Sequence, residues 1–281
     1  MSVQPKKGPR RSTRKKLVSA IVLIIFGIIF LAPLLWVFLA SFDGQAGLAA
    51  SLPSPFTFDN YKEILTPDRT FIPLGNSLVL STFSALIAVF VAVLAAYPLS
   101  RYKNRFNHGY MYTVLFASGL PITAMMIPVY SLFVQLRILD NYPAVIFFLA
   151  TTSLPMATFM AKNFMDGIPI SLEEAAWVDG ASPMRALFSV VIPLMKPGLA
   201  ALSIFVFVMV WGNFFVPFIL LTDPLKMPAA VTIYSFFGQH GAIAYGGLAA
   251  YSVLYTIPAV VLYLLITKFF GAFALAGGIK G

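Results

Sequence analysis

The chain has 281 residues, of which 59% are hydrophobic, 15% aromatic and only 10% charged. A soluble domain of that composition would expose enough apolar surface to aggregate, so the chain is expected to be an all-α integral membrane protein. The formal charge is +9 and cysteine is absent, which excludes disulfides, thiol catalysis and Cys-ligated metals.

In chain order, a basic tail of residues 1–16, carrying Lys6, Lys7, Arg10, Arg11, Arg14, Lys15 and Lys16, precedes the first apolar stretch. Residues 1–11 have the composition of a disordered segment. Stretches long enough to cross the hydrocarbon layer, about 20 residues each, run over 17–40, 74–100, 110–134, 143–161, 198–221 and 246–267. Six transmembrane helices are expected, in one membrane domain, 17–271, followed by a tail, 272–281. The first stretch is longer than a usual signal-peptide core and reads as an uncleaved span. Arg101, Lys103, Arg105, Lys162, Arg185, Lys196, Lys268 and Lys280 fall on the same side as the basic tail, and only Lys62, Arg69, Arg137 and Lys226 on the other. Cytoplasmic loops collect Lys and Arg, so both termini and the loop 162–197 are expected in the cytoplasm. The charge therefore reports membrane orientation, and no basic, aromatic-interleaved surface points to nucleic acid. His108 and His240 fall on opposite sides in this topology and cannot share a metal. Prolines at 33, 98, 121, 128, 155, 217 and 258 lie within or at the ends of spans, where each removes a backbone donor.

The long loop carries the sharpest signal. Ser171 and Glu174 have the spacing of a capping box, and Gly180 stands where a helix stops, predicting a short helix over 172–179. At ~1.5 Å per residue it would be about 12 Å long, too short to be stable without a partner surface. Ser182-Pro183 then restarts a helix in N-cap/N1 order, which Pro193 and Pro197 end. Taken alone, Glu-Ala-Ala fits an ordinary connecting helix better, and it is the full spacing between two spans that reverses this.

Glu174-Ala175-Ala176, Gly180, and Val190, Ile192 and Pro193 stand together at a spacing that resembles the Glu-Ala-Ala loop of ABC-importer permeases. The resemblance narrows to the carbohydrate, maltose-type permeases through Pro55-Phe56-Thr57-Phe58-Asp59-Asn60-Tyr61, Asn76-Ser77, Ala96-Tyr97 before Arg101, Ile127-Pro128-Val129-Tyr130, Leu136-Arg137-Ile138-Leu139-Asp140, Ile168-Pro169 and the tail Ala276-Gly277-Gly278-Ile279-Lys280-Gly281. Trp211-Gly212-Asn213 departs from the family's Trp-Asn pair, Arg137 replaces a common Gly, and Ala272-Phe273 replace Arg-Gly. The resemblance implies a type I importer-like bundle in a prokaryotic cell membrane, a second permease subunit of a different chain, two ATPase subunits that carry ATP and Mg, and an extracytoplasmic solute-binding protein. It implies that Glu173, Glu174, Ala175, Ala176, Asp179 and Gly180 couple the chain to the ATPase.

None of the six stretches contains Asp, Glu, Lys or Arg, whereas ion-coupled carriers usually keep a carboxylate there. The chain also has no GxxxxGK[ST] phosphate loop, so it is expected to bind no cofactor or metal and to be no enzyme itself. An anionic cargo would favour a cation in the pathway, so a neutral saccharide fits better. Tyr97, Tyr130, Thr151, Trp211 and Asn213 are the candidate pathway residues, with Thr152 and Ser153 beside them; packing and interhelical hydrogen bonds are the alternative for each. An ion-coupled carrier or channel, a structural scaffold, and an importer of another solute such as a glycerol phosphodiester are the competing readings.

Overall fold

The computed structural model describes residues 13–102, 105–119, 121–237 and 243–277. The expected tail 272–281 therefore lies partly outside the described residues, as do residues 1–11 and His240. The helices are α1 (Thr13–Ala40), α2 (Asp59–Ile64), α3 (Ile72–Arg101), α4 (Arg105–Ser118), α5 (Ile122–Gln135), α6 (Tyr142–Asp166), α7 (Ser171–Val178), α8 (Pro183–Ala186), α9 (Ile192–Leu194), α10 (Lys196–Trp211), α11 (Phe215–Leu220), α12 (Ala229–Thr232) and α13 (Tyr245–Gly277). Among the described residues there is no strand, only two isolated bridges, Asp43 with Phe56 and Phe237 with Ile243.

Among the described residues, four helical stretches are long and apolar enough to cross a membrane: Leu17–Ala40, Pro67–Arg101, Tyr142–Asp166 and Tyr245–Ile266. A fifth is the pair Pro183–Leu194 and Lys196–Trp211, bent by 82°. Two expected spans are interrupted. The stretch 110–134 is divided between α4, which ends at Ser118, and α5, which starts at Ile122 behind Pro121 with its extended dihedrals. The stretch 198–221 breaks after Trp211, because Gly212 closes α10 and Asn213 accepts a hydrogen bond from the Val216 amide, 3.1 Å away, to begin α11. A short polar side chain that bonds a nearby backbone amide favours a new helix start over continuation.

The core is built on close approach. On α3 the residues Ser77, Ser81, Ala85, Ala88, Ala92 and Ala96 are buried, and on α6 Ala150, Ala157 and Ala161 are buried opposite them. Small side chains at about four-residue spacing let two helix backbones pack closely, which is how membrane helices associate when lipid is as apolar as the side chains. Ser84 Oγ donates to the Ile146 carbonyl at 3.0 Å across this seam. At Gly198 any Cβ would lie 2.5 Å from the Phe164 ring, so only glycine lets α10 approach α6 here. By contrast, α1 packs along α13 with most of its surface open, as a lipid-facing helix would be.

The end of the bundle away from α7 is tied by side chains that bond backbone. Asn76 Nδ2 donates to the carbonyls of Leu225 and Met227 at 2.9 and 3.0 Å, Ser77 Oγ accepts from the Ala229 amide at 2.9 Å, and Tyr142 donates to the Lys226 carbonyl at 2.8 Å. Asp140, in the left-handed region at φ 57°, accepts from the amides of Thr222 (2.6 Å) and Asp223 (2.9 Å) and from the Thr222 hydroxyl. Asp and Asn tolerate that conformation better than other non-glycine residues. Desolvation works to raise the Asp140 carboxyl, but the Thr222 and Asp223 donors and the nearby Lys226 charge more than offset it and hold the group below its ordinary value.

A carboxyl held lower in the folded chain than in the unfolded one adds stability that is complete above the unfolded value, about 3.9, and is lost as the pH falls through the folded value. The clip is therefore expected to be intact at neutral pH and to open only in acid below about pH 4. Asp140→Ala should loosen the 222–228 loop by about 1.5–3 kcal/mol at pH 7, read as faster amide exchange at Thr222 and Asp223. Exchange as slow as in the parent would show that the carboxylate does not hold the loop.

Candidate functional site

The loop between α6 and α10 contains the residues with the sharpest sequence signal. Its short helix α7 spans Ser171–Val178, one residue earlier than expected, and the expected capping box does not form. Ile170 occupies the N-cap with helical dihedrals and makes no side-chain cap bond, while the amides of Glu173 and Glu174 already bond the Ile170 carbonyl at 2.9 and 3.0 Å. The turn set by Pro169 is continuous with the helix, so Ser171 lies inside it and Glu174 has no capping role.

The C-terminal stop is as expected. Gly180 has φ +85°, its amide bonds the Trp177 carbonyl at 2.9 Å, and the Ala181 amide bonds the Ala176 carbonyl at 2.9 Å. This is the paired-bond pattern of a Schellman stop, and it places a left-handed residue directly after the cap. Ser182 then caps α8 by accepting from the Arg185 amide at 3.3 Å. Pro193 does not end that segment. A π-helical turn, Leu187–Val191, carries the chain into α9, and Pro193 lies inside α9. Likewise Pro197 sits in the first turn of α10 rather than closing the segment before it.

The adjacent glutamates divide sharply. Glu173 is fully buried and receives Arg101 Nε and Nη2 on Oε1, each at 2.5 Å, and the Tyr97 hydroxyl on Oε2 at 2.9 Å. Glu174, Ala175 and Asp179 are exposed and Ala176 is half-buried. Around them Ile170, Leu172, Trp177 and Val178 present apolar surface, Val178 at 89% exposure. The inner face of α7 rests on α8 and the π turn, where Ala186, Leu187 and Val191 are fully buried.

The five pathway candidates do not gather at one place. Tyr97 is buried at the α7 end and its hydroxyl is engaged by Glu173. Thr151 donates to the Phe147 carbonyl of its own helix at 2.8 Å, as Thr152 and Ser153 do to Leu149, and Tyr130 is exposed on α5. Trp211 is buried between Phe207 and Tyr255, with ring centroids 5.5 and 5.3 Å away and nearly parallel planes. The Tyr255 hydroxyl donates to the Trp211 carbonyl at 2.6 Å, yet the buried indole N–H has no acceptor among the described residues. Sequence reasoning missed Arg101, Phe207 and Tyr255 as site residues. For Arg101 a signal existed, since Tyr97 and Arg101 are four apart on one helix and share a face.

Among the described residues, no group of three His, Asp or Glu side chains is placed to hold a metal.

A model of the family described as "Binding-protein-dependent transport system inner membrane component" matches residues 88–274. The chain is 32% identical over 270 residues to the inner membrane ABC transporter permease protein YcjP of Escherichia coli K12, covering 92% of this chain and 94% of that protein. It is 29% identical over 279 residues to the trehalose/maltose transport system permease protein MalG of Thermococcus litoralis, covering 97% and 99%. Its fold is similar to that of a chain in a crystal structure of a bacterial ABC transporter involved in the import of the acidic polysaccharide alginate, with a TM-score of 0.76 at 24% identity, covering 94% of this chain and all of the other. With a family match over most of its length and a relative aligned nearly end to end, this chain belongs to the inner-membrane permease components of binding-protein-dependent ABC transport systems, which form the membrane part and are not enzymes.

Proposed function

We propose that the chain is the permease subunit of an ATP-driven importer for a neutral saccharide, supplying half of the pathway beside a second permease chain, with ATP and Mg on two separate ATPase subunits. The observation that carries the coupling part is the division of labour on α7. One glutamate is buried against the spans, while Glu174, Trp177, Val178 and Asp179 face outward on a helix too short to be stable alone. Such a helix wants a partner surface, and the ATPase fits that place. Exposed apolar groups at the rim of a soluble loop otherwise favour association.

In this reading the chain crosses the membrane six times. The broken pair α4 and α5 makes the third crossing, and the bent α10 continues the loop as the fifth. Both termini and the loop 162–197 lie in the cytoplasm, and Lys62, Arg69, Arg137 and Lys226 lie outside with the solute-binding protein. The one-sided distribution of Lys and Arg supports this orientation. The domain limits are those expected from sequence: a basic tail 1–16, a permease domain 17–271 and a tail 272–281.

The saccharide assignment is supported by relatives named for trehalose and maltose and for glucose, and by spans that carry no charge away from their ends. Trp211 is the best-supported pathway residue. It lies at the break between α10 and α11, where a buried, unpaired indole donor costs free energy unless cargo or a partner chain accepts from it. The aromatic faces beside it suit sugar rings. Asn213 stands next to it but its Oδ1 caps α11, so its carboxamide has a structural task as well. The bond of Tyr97 to Glu173 favours a structural task for it, and Tyr130 and Thr151 are candidates as groups that face away from the core.

Uptake is expected only when the partner ATPase, the binding protein and ATP are present. In liposomes holding the two permease chains alone, accumulation of a sugar driven by a proton or sodium gradient would overturn the reading.

Gly180→Val should impair assembly with the ATPase more than Glu174→Ala does. A β-branched residue at φ +85° is strained by about 1–2 kcal/mol or more, whereas no atom stands near the added Cβ, so the penalty is one of backbone conformation. Gly180→Asn, which tolerates the left-handed region, should be milder. Equal assembly for the Val and Asn variants would remove that explanation.

Trp211→Phe retains the stack and deletes only the N–H, and Asn213→Asp retains an N-terminal capping oxygen. Both should alter the relative uptake of different sugars. Losses equal for every sugar, in proportion to lost complex, would leave these residues as packing.

A further inference from the structure

Arg101 is the last residue of α3 and its guanidinium is almost wholly buried, at 6% side-chain exposure. Three elements meet on it. Nε and Nη2 bind Glu173 of α7. Nη1 donates to the Met165 carbonyl at 3.1 Å and Nη2 to the Ile168 carbonyl at 3.5 Å, both at the end of α6. Helix ends leave such carbonyls without intrahelical partners and favour a cation there. Nη1 also reaches Ser100 Oγ at 3.0 Å, and that hydroxyl donates to Asp166 at 2.6 Å. Asp166 is held in turn by Lys162 at 2.5 Å. Tyr97, one turn earlier on α3, fills the second oxygen of Glu173.

We propose that Arg101, supported by Tyr97, is a positioning residue of the transport cycle, joining α7 to the ends of α3 and α6 so that the three move as one body. The proposal rests on the reading of α7 as the element that meets the ATPase. A buried ion pair contributes little net stability compared with an apolar replacement, but it demands fixed geometry and strongly resists loss of one partner. It is therefore suited to transmitting displacement without slip. Residues 167–170 join α6 to α7 along the chain through a turn in which Ile168 packs against the core and Pro169 leads directly into α7. The Arg101 fork adds a second, non-covalent tie that also brings in α3. Since α3 and α6 are packed along the small-residue seam, a push on α7 is delivered to both spans as rigid-body movement.

The experiment uses the whole complex, with both permease chains, the ATPase and the binding protein in proteoliposomes, and reads ATP hydrolysis and uptake separately. Arg101→Gln is expected to lower uptake per ATP hydrolysed by about two- to thirtyfold, the range for disrupted coupling contacts. Tyr97→Phe should do so more weakly. Arg101→Lys, which retains the charge but not the fork, should fall between Gln and parent. A merely structural Arg101 would lower hydrolysis and uptake together, in proportion to assembled complex, and that result overturns the proposal.

If Arg101→Gln does not assemble, the double variant Arg101→Met/Glu173→Met leaves no unpaired charge and is expected to assemble but remain uncoupled; full coupling in it overturns the proposal. A further measurement leaves the ion pair intact. The chain has no cysteine, so spin labels at Tyr102→Cys and Leu172→Cys report the α3 to α7 distance within it. That distance should be the same with and without ATP, and a change of about 5 Å, one helical turn, overturns the joint. Glu174→Arg and Val178→Arg on the outward face separate the two readings. If these assemble and couple normally, it is the α7 docking surface that fails; if they uncouple while Arg101→Gln does not, only the Arg101 role fails.

Discussion

The placement of the loop depends on one buried ion pair. Glu173 has no exposure at all, and a carboxylate in that position is tolerable only if each oxygen is bonded and the charge is met directly. Arg101 and Tyr97 satisfy it completely, and the spare donors of Arg101 go to the carbonyls at the end of α6. The same contact therefore fixes the position of α7, closes α6 and finishes α3. Removing either partner strands a charge in an apolar site, at about 3–5 kcal/mol for comparable buried pairs, which is a large share of the stability of an ordinary domain.

The two ends of the bundle are held by different chemistry. At the far end, side chains bond backbone: Asn76, Ser77, Asp140 and Tyr142 hold the 220–229 segment through its amides and carbonyls. Such bonds fix a loop's path and depend little on what its side chains are. At the α7 end the central contacts are between side chains, the ion pairs Arg101–Glu173 and Lys162–Asp166, with further bonds from Arg101 to the α6 carbonyls. The first arrangement holds a shape, and the second joins separate elements at a point. Between them the α3 and α6 seam is made of Ser and Ala, with charge placed only at helix ends, as expected where a charge at mid-membrane is expensive.

Much of this was legible from residues alone. The existence of α1, α3 and α6 follows from apolar length, although α6 runs on to Asp166, five residues past its apolar stretch, and the stop at Gly180 follows from the need for positive φ. What failed is instructive. Ser171 and Glu174 have capping-box spacing, but Pro169 starts the helical turn earlier, so the adjacent Glu173 is the one turned inward. Adjacent residues on a helix lie about 100° apart, so Glu173 and Glu174 cannot share a face. Tyr97 reads as a pathway candidate because it is polar inside a span, and its hydroxyl donates to Glu173 of α7; periodicity does not reveal which loop returns to cover it. The breaks near Pro121 and after Trp211 were hidden because each is only a few residues long within a stretch that is apolar on average.

The bend before α10 shows how the loop and the membrane segment are made from one stretch of chain. A straight continuation from α9 to α10 is blocked at Pro197, in the first turn of α10, which has no amide to return to the Pro193 carbonyl, and the π turn before α9 has already shifted the bonding so that the Ile192 amide reaches the Leu187 carbonyl. The chain turns by 82° around Met195, which is 3% exposed. Beyond the turn, the missing side chain of Gly198 lets Phe164 of α6 press onto the backbone of α10. Proline at the bend and glycine just past it thus act in sequence, the first removing the hydrogen bond that would keep the helix straight and the second providing the contact that fixes its new direction. One side of this corner carries α7, and the other leads along α10 to Trp211. The corner is thereby the covalent route from the loop surface to the aromatic stack, beside the non-covalent route through Arg101 into α3.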